Sequence, residues 1–282
     1  MSSMARPSLH LVTALACEAK PLIDCFGLRK QEQTDYPLFQ GQLRDHKVSL
    51  VVSGLGAFNA GAASAWLAGR ESALGRSQSA VWLNIGVAGH ASLAPGEALL
   101  VHACRAADEI RSYYPSMVAK WPGKTAALYT LAMPSQDYPA DAMIDMEASG
   151  YFTAVSRFST AELIQSIKII SDNQRSNLEK LSPTVISDLI QSRITELCSF
   201  IDNLLAIARL PQPADYLHLI SHLHASVSHR AQYARLIEHL SATGGLDEQL
   251  QQALGQANTI AEVLAMLRER RDQQVPVLNG VD

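Results

Sequence analysis

Apolar residues fall into short runs closed by glycine or polar clusters in the first two-thirds of the chain, and into helically spaced stretches after that. The run LHLVTALA, Leu9 to Ala16, reads as a buried strand, and the small and acidic residues behind it turn the chain into a helix with Glu18 at the strand's mouth. A second strand, Val48 to Val52, runs into Ser53-Gly54-Leu55-Gly56 and then into an Ala/Gly-rich helix, Asn59 to Leu67, able to pack closely. A third, Ala80 to Ile85, is expected to end in a turn at Gly86-Val87-Ala88-Gly89. Between Arg105 and Tyr138 the breakers Pro115, Pro122, Gly123 and Pro134 leave room for two or three short strands. Met143 to Arg157 reads as a turn into a helix, Ser166 to Ile170 as a buried strand, and Ser171-Asp172-Asn173 as the polar loop at its end. Ser182 caps, and Pro183 opens, an amphipathic helix expected to reach about Arg209. The Pro-marked segment LPQPADY then links to two or three helices, with Thr243-Gly244-Gly245 as a break between them.

Strands ending in small turns before helices are the grammar of an α/β sheet that binds a ligand at its strand ends. The expected organisation is an α/β domain over residues 1–209, followed by a helical extension over 210–282. Composition agrees: of 282 residues 48% are hydrophobic and 18% charged, which is globular material with ample chain for a core. A net charge of -4 offers no basic field for a phosphate backbone, so nucleic acid is not an expected partner. The four cysteines show no C-x-x-C pair and no zinc-finger histidine spacing. The amino-terminal apolar run is too short to span a membrane and lacks a cleavage pattern, so the expectation is a cytoplasmic protein with no membrane partner. His218 and His222 stand four apart and would share a helix face, but no acidic or Cys partner stands at a fixed spacing, and no metal is expected.

TALACEAKPL at 13–22, VVSGLGAFNAG at 51–61, WLNIGVAGHASLAPGEALLV at 82–101, IDMEASG at 144–150 and IKIISDN at 167–173 occur together in this order. In that combination the chain resembles the nucleoside phosphorylase and nucleoside hydrolase superfamily, above all the methylthioadenosine/S-adenosylhomocysteine nucleosidases, over about residues 9–209. The resemblance implies a three-layer α/β/α fold with a mixed central sheet, and cleavage of the N-glycosidic bond of a purine nucleoside or a 5′-modified one. Cleavage through an oxocarbenium-like sugar needs an acid for the leaving base, a group that directs the nucleophile, and contacts to the sugar hydroxyls. By resemblance Asp172 meets N7 of the base, Glu147 holds the ribose with Met146 against the sugar, and Glu18 orients or deprotonates water. Ser171, Gly54, Asn84, Gly86, Val87 and Ala88 complete the implied substrate contacts. No cofactor is implied, and the family's homo-oligomers imply a homo-oligomer here.

The sequence also departs from that family. Val87 stands where a Ser is usual, Lys168 where an Arg is common, and the stretch from Glu97 to Met143 that should carry much of the base pocket is short. Tyr113, Tyr114, Trp121, Tyr129, Met133 and Tyr138 lie there as candidate wall residues. A phosphorylase is the alternative within enzymes, with Lys20 as the residue able to meet phosphate. A nucleoside-binding or protein-interaction module without efficient catalysis is the alternative outside them. Taken singly, Glu18 is an ordinary first-turn acid, Asp172 a turn or cap residue, and each glycine a site for positive φ; Asp145 is assigned to structure.

Overall fold

The computed structural model describes residues 7–73, 80–107, 111–176, 181–208 and 213–273, which leaves MSSMAR and part of the Pro-marked linker outside the described residues. Two compact units divide the chain, Met1–Arg209 and Leu210–Asp282. The strands of the first are Ser8–Thr13 (β1), Arg29–Lys30 (β2), Leu38–Leu43 (β3), His46–Val52 (β4), Ala80–His90 (β5), Ala98–Ala106 (β6), Ser112–Tyr113 (β7), Lys124–Thr130 (β8), Ala142–Asp145 (β9) and Ile164–Asp172 (β10). Its helices are Ala16–Phe26 (α1), Ala57–Ala73 (α2), Ala148–Val155 (α3), Pro183–Ser192 (α4) and Ile194–Ala208 (α5).

β1 is buried along its whole length because it lies between two parallel neighbours, β4 and β5, with helices over both faces. A strand covered on both sides must be apolar at nearly every position, and the unbroken run from Leu9 meets that need. Leu9 and Leu11 pack with Leu22 of α1, Ile190 of α4 and Phe200 and Leu204 of α5. Val12 and Trp82 face the other way, toward Ala63 and Leu67 of α2 and Tyr151 and Phe152 of α3. The period-two alternation thus builds three layers.

The sheet is mixed, in the order β10-β6-β8-β9-β5-β1-β4-β3-β2, and β10 pairs a second time with β5. β5, β10, β6, β8 and β9 therefore close a ring of strands. Along β5 the pairing with β1 runs to Asn84, and β9 joins the same edge only at Gly89. Among the described residues no strand pairs with that edge over 85–88, and the opening lies beside the start of α1.

Several expected boundaries are corrected. Gly86-Val87-Ala88-Gly89 is not a turn, since β5 runs on to His90 with Gly86 and Gly89 in register with β10. Gly54 and Gly56 are turn glycines, at φ 84° and 99°. Ser171 and Asp172 belong to β10, and Ala142–Asp145 forms a strand ahead of a helix that begins only at Ala148. The helix expected from Pro183 is two helices meeting at Arg193, with Ser182 Oγ accepting the Val185 amide as cap.

The second unit holds a 3-10 helix, Pro213–Ile220, and three α-helices, Val227–Ala242 (α6), Glu248–Gln256 (α7) and Ile260–Gln273 (α8). Tyr233, Ile237, Leu240, Leu254, Val263 and Leu267 form its own core. Gly244, at φ 70°, marks the expected break after α6. His218 ends up in the 3-10 helix, whereas His222 lies beyond it with Nε2 on the Ala257 carbonyl, so the two do not share one regular helix face. Among the described residues no helix is long and apolar enough to cross a membrane.

Candidate active site

Glu18 is the third residue of α1 and is only 3% exposed. Its Oε2 accepts the amides of Ala14 and Leu15 at 2.9 Å each, returning to the helix cap as a capping-box glutamate does. Its Oε1 accepts the amide of Val87 at 2.9 Å, in the opening of β5 left between β1 and β9. The carboxylate thereby bridges the end of β1 and the unpaired edge of β5. Gly86 sits beneath it, where a Cβ would come within 2.8 Å of Oε1. Close approach, not turn geometry, is the reason for glycine there.

Glu147 precedes α3, and its Oε1 accepts the Gly56 amide at 2.8 Å from the turn ahead of α2. Asp172 ends β10; its Oδ1 accepts the Ser171 hydroxyl and its Oδ2 the Tyr138 hydroxyl, both at 2.5 Å. The Tyr138 ring lies against Gly89, where a Cβ would come within 2.5 Å of the ring and 2.8 Å of Asp172 Oδ2. Glu18, Glu147 and Asp172, each at least nine-tenths buried, meet at one cavity of about 220 Å³. Leu15, Leu55, Met133, Ile144, Met146 and Ile186 give it apolar walls. A mostly apolar cleft with a few converging polar groups at strand ends is the usual form of a small-molecule site.

Beneath the acids lies Lys168, fully buried on β10, with Nζ 2.9 Å from Asp145 Oδ2. Asp145 is fixed in turn by the Thr130 hydroxyl at 2.7 Å and the Ala148 amide at 2.9 Å. Burial works against the Lys168 ammonium, but Asp145, Glu147 and Glu18 outweigh it and raise its pKa. Burial raises Glu18 against the opposing pull of Lys168 and three amides, and it raises Glu147 likewise. A buried cation among carboxylates keeps them from repelling one another, and leaves their protons tunable.

Of the residues grouped here by sequence, Glu18, Val87, Ala88, Met146, Glu147, Ser171 and Asp172 line the cavity. Gly54, Asn84 and Gly86 do not. Asn84 is 1% exposed inside β5, where its side chain donates to the Val12 carbonyl and accepts from the Ser166 hydroxyl, so it ties strands together. Gly54 shapes the turn whose next glycine reaches Glu147. Lys20 pairs with Asp24 on the exposed face of α1, away from the cavity. Of the middle-region candidates, Met133 lines the cavity and Tyr138 meets Asp172, whereas Tyr113 stacks on Phe152 and Trp121 packs on Phe200. The role of Lys168 had one sequence signal, a lone cation in the apolar strand IKII that cannot be buried without an acid partner.

No family model matches the chain, and no curated protein matches it in sequence. Its fold does match solved structures. Futalosine hydrolase of Helicobacter pylori superposes with a TM-score of 0.56 at 13% identity, over 70% of this chain and 98% of that one. The 5′-methylthioadenosine nucleosidase of Arabidopsis thaliana gives 0.56 at 15% identity, over 71% and 96%. The methylthioadenosine/S-adenosylhomocysteine nucleosidase of Colwellia psychrerythraea, in complex with adenine, gives 0.54 at 18%, over 71% and 95%. About seven-tenths of this chain therefore has the fold shared by these hydrolase and nucleosidase structures.

Proposed function

We propose that the chain hydrolyses the N-glycosidic bond of a purine nucleoside or a 5′-modified purine nucleoside. The observation that carries this reading is the meeting of three buried carboxylates, from α1, the start of α3 and the end of β10, at one apolar-walled cavity. Cleavage places positive charge on the sugar and negative charge on the leaving base, so carboxylates on the sugar side and an acid at the base are the groups required. Glu18 activates water: three amides fix its orientation, and a carboxylate raised by burial is a stronger base than a solvated one. Glu147, held by Gly56, accepts the ribose hydroxyls, and Asp172 takes the acid's place at the base. Water is favoured over phosphate because Lys20 is paired on an outer face and Lys168 is committed to Asp145. The same reading carries homo-oligomerisation, supported by the exposed Leu55 and Met133 at the cavity rim and Phe58 at the start of α2, and sedimentation of the intact chain tests it.

The direct test is chromatography of the protein incubated with a panel of purine nucleosides, including methylthioadenosine and S-adenosylhomocysteine, with and without phosphate. Free base without phosphate is the expected result, and base released only with phosphate makes the chain a phosphorylase. Asp172→Asn keeps the shape of the side chain and is expected to abolish turnover with the circular dichroism spectrum unchanged. Retained turnover in that variant removes Asp172 from the mechanism.

A further inference from the structure

Cys25 and Cys198 lie 173 positions apart in sequence, yet their sulfurs are 3.6 Å apart. Cys25 is the penultimate residue of α1 and exposed, and Cys198 lies on α5, half-buried. No bond joins them, and both are free thiols. We propose that this pair is an oxidisable dithiol that closes to a disulfide between α1 and α5 when a small disulfide oxidant reaches it.

The geometry separates this pair from the other two cysteines. Cys104 is buried on β6, and Cys17 lies at the other end of α1 with no second cysteine beside it among the described residues. A bond of about 2.05 Å needs the two sulfurs to approach by roughly 1.5 Å, within the reach of side-chain rotation. Cys25 has that freedom because α1 ends one residue later, at Phe26, and its cap Gly27 takes the left-handed conformation at φ 58°. Exposure also makes Cys25 the thiol that an outside reagent meets first. Burial and the neighbouring Cys25 sulfur push Cys198 up to about 12, so Cys198 is not the first to react; it gives up its proton as it attacks, once Cys25 is held in the mixed disulfide beside it.

With glutathione disulfide as oxidant the steps balance. The Cys25 thiolate attacks one sulfur of the reagent, forming a mixed disulfide and releasing one glutathione thiolate. Cys198 then attacks the Cys25 sulfur, the Cys25–Cys198 bond forms, and the second glutathione leaves as thiolate. The two thiol protons of the protein end on the two released glutathiones, and the protein loses two electrons to the reagent. The new bond ties the last turn of α1 to α5, on the helix whose first turn holds Glu18.

The test is a titration of the intact chain in glutathione redox buffers, followed by alkylation and peptide mapping without reduction. The expected product is a linked pair of peptides carrying Cys25 and Cys198, with glutathionylated Cys25 at no more than about a tenth of it, because the partner thiol is already in place. Cys198→Ser is expected to convert that product to a stable glutathione adduct on Cys25. A lasting adduct on Cys25 in the unmutated chain with Cys198 still alkylatable overturns the proposal, and so does a Cys25 that never reacts. Cys17→Ser is expected to leave the linked product unchanged, and its loss there would also overturn the assignment.

Discussion

Two hydroxyl groups fix the carboxyl of Asp172, and only that of Tyr138 comes from outside β10. The remaining tie, from Ser171, is to the neighbouring residue and leaves the carboxyl plane free to turn. A reacting group that loses its orientation costs rate more than binding, so Tyr138→Phe is expected to lower kcat roughly ten- to a hundredfold with little change in KM. Added to Asp172→Asn, the same change should have no further effect, because the phenol acts through the carboxyl. Full kcat in Tyr138→Phe would show that Ser171 alone suffices. Glu18, Glu147 and Asp172, which line one cavity, were singled out through the resemblance, since taken singly each reads as an ordinary turn, cap or helix-start acid. The contact of Tyr138 with Asp172 was not legible, since its partner is 34 positions away across a helix and a strand, and Tyr138 itself lies in no periodic run. Lys168 was visible as a cation in an apolar strand, but its three acids come from other elements.

The close approach of α2 and α3 sets one wall of the site. Gly150 lies directly against the backbone of Ala57, and a Cβ at Gly61 would meet the Gly150 carbonyl at 3.0 Å. The Ala/Gly-rich character of α2 was legible from sequence, whereas its use against a second helix needed the fold. Gly150→Ala places a methyl group where only backbone stands, and backbone cannot rotate aside. Overpacking of that kind costs about 1–3 kcal/mol, which calorimetry would read as a lower Tm. Ala57 adjoins Gly56, whose amide holds Glu147, so the variant should also raise KM for the nucleoside. Gly69→Ala is the control, because nothing lies within 4 Å of a Cβ there and a helical glycine is replaced by a better helix former. Equal stability in the two variants would mean that α2 and α3 can separate without penalty. The glycines of β5 misled the reading of that element, because small residues that admit Glu18 and Tyr138 look in sequence like those that make a turn. β9 was missed for a different reason: four residues directly ahead of a helix give too little alternation to register.

At the scale of the molecule, the division near residue 209 was legible because a Pro-rich segment separates two kinds of periodicity, and each unit has its own core. The closure of β5, β10, β6, β8 and β9 into a ring was not, since it depends on β10 pairing with two strands distant in sequence. The sheet so formed buries His10 completely, in register with Trp82 and with the ring centroids 4.6 Å apart. His10 Nδ1 and Trp82 Nε1 have no hydrogen-bond partner among the described residues. Burial lowers the His10 pKa from 6.5 to about 4, the charge of Glu71 opposing and that of Lys47 adding. Between those values the unfolded chain binds a proton that the folded chain refuses, so stability falls as pH drops through the window and levels off below about 4. At about 1.4 kcal/mol per pH unit the loss is on the order of 3 kcal/mol. Urea unfolding at a series of pH values is expected to show that slope, and His10→Leu should flatten its share of it, whatever the variant's stability at pH 7. A slope unchanged in His10→Leu would place the acid sensitivity elsewhere in the molecule.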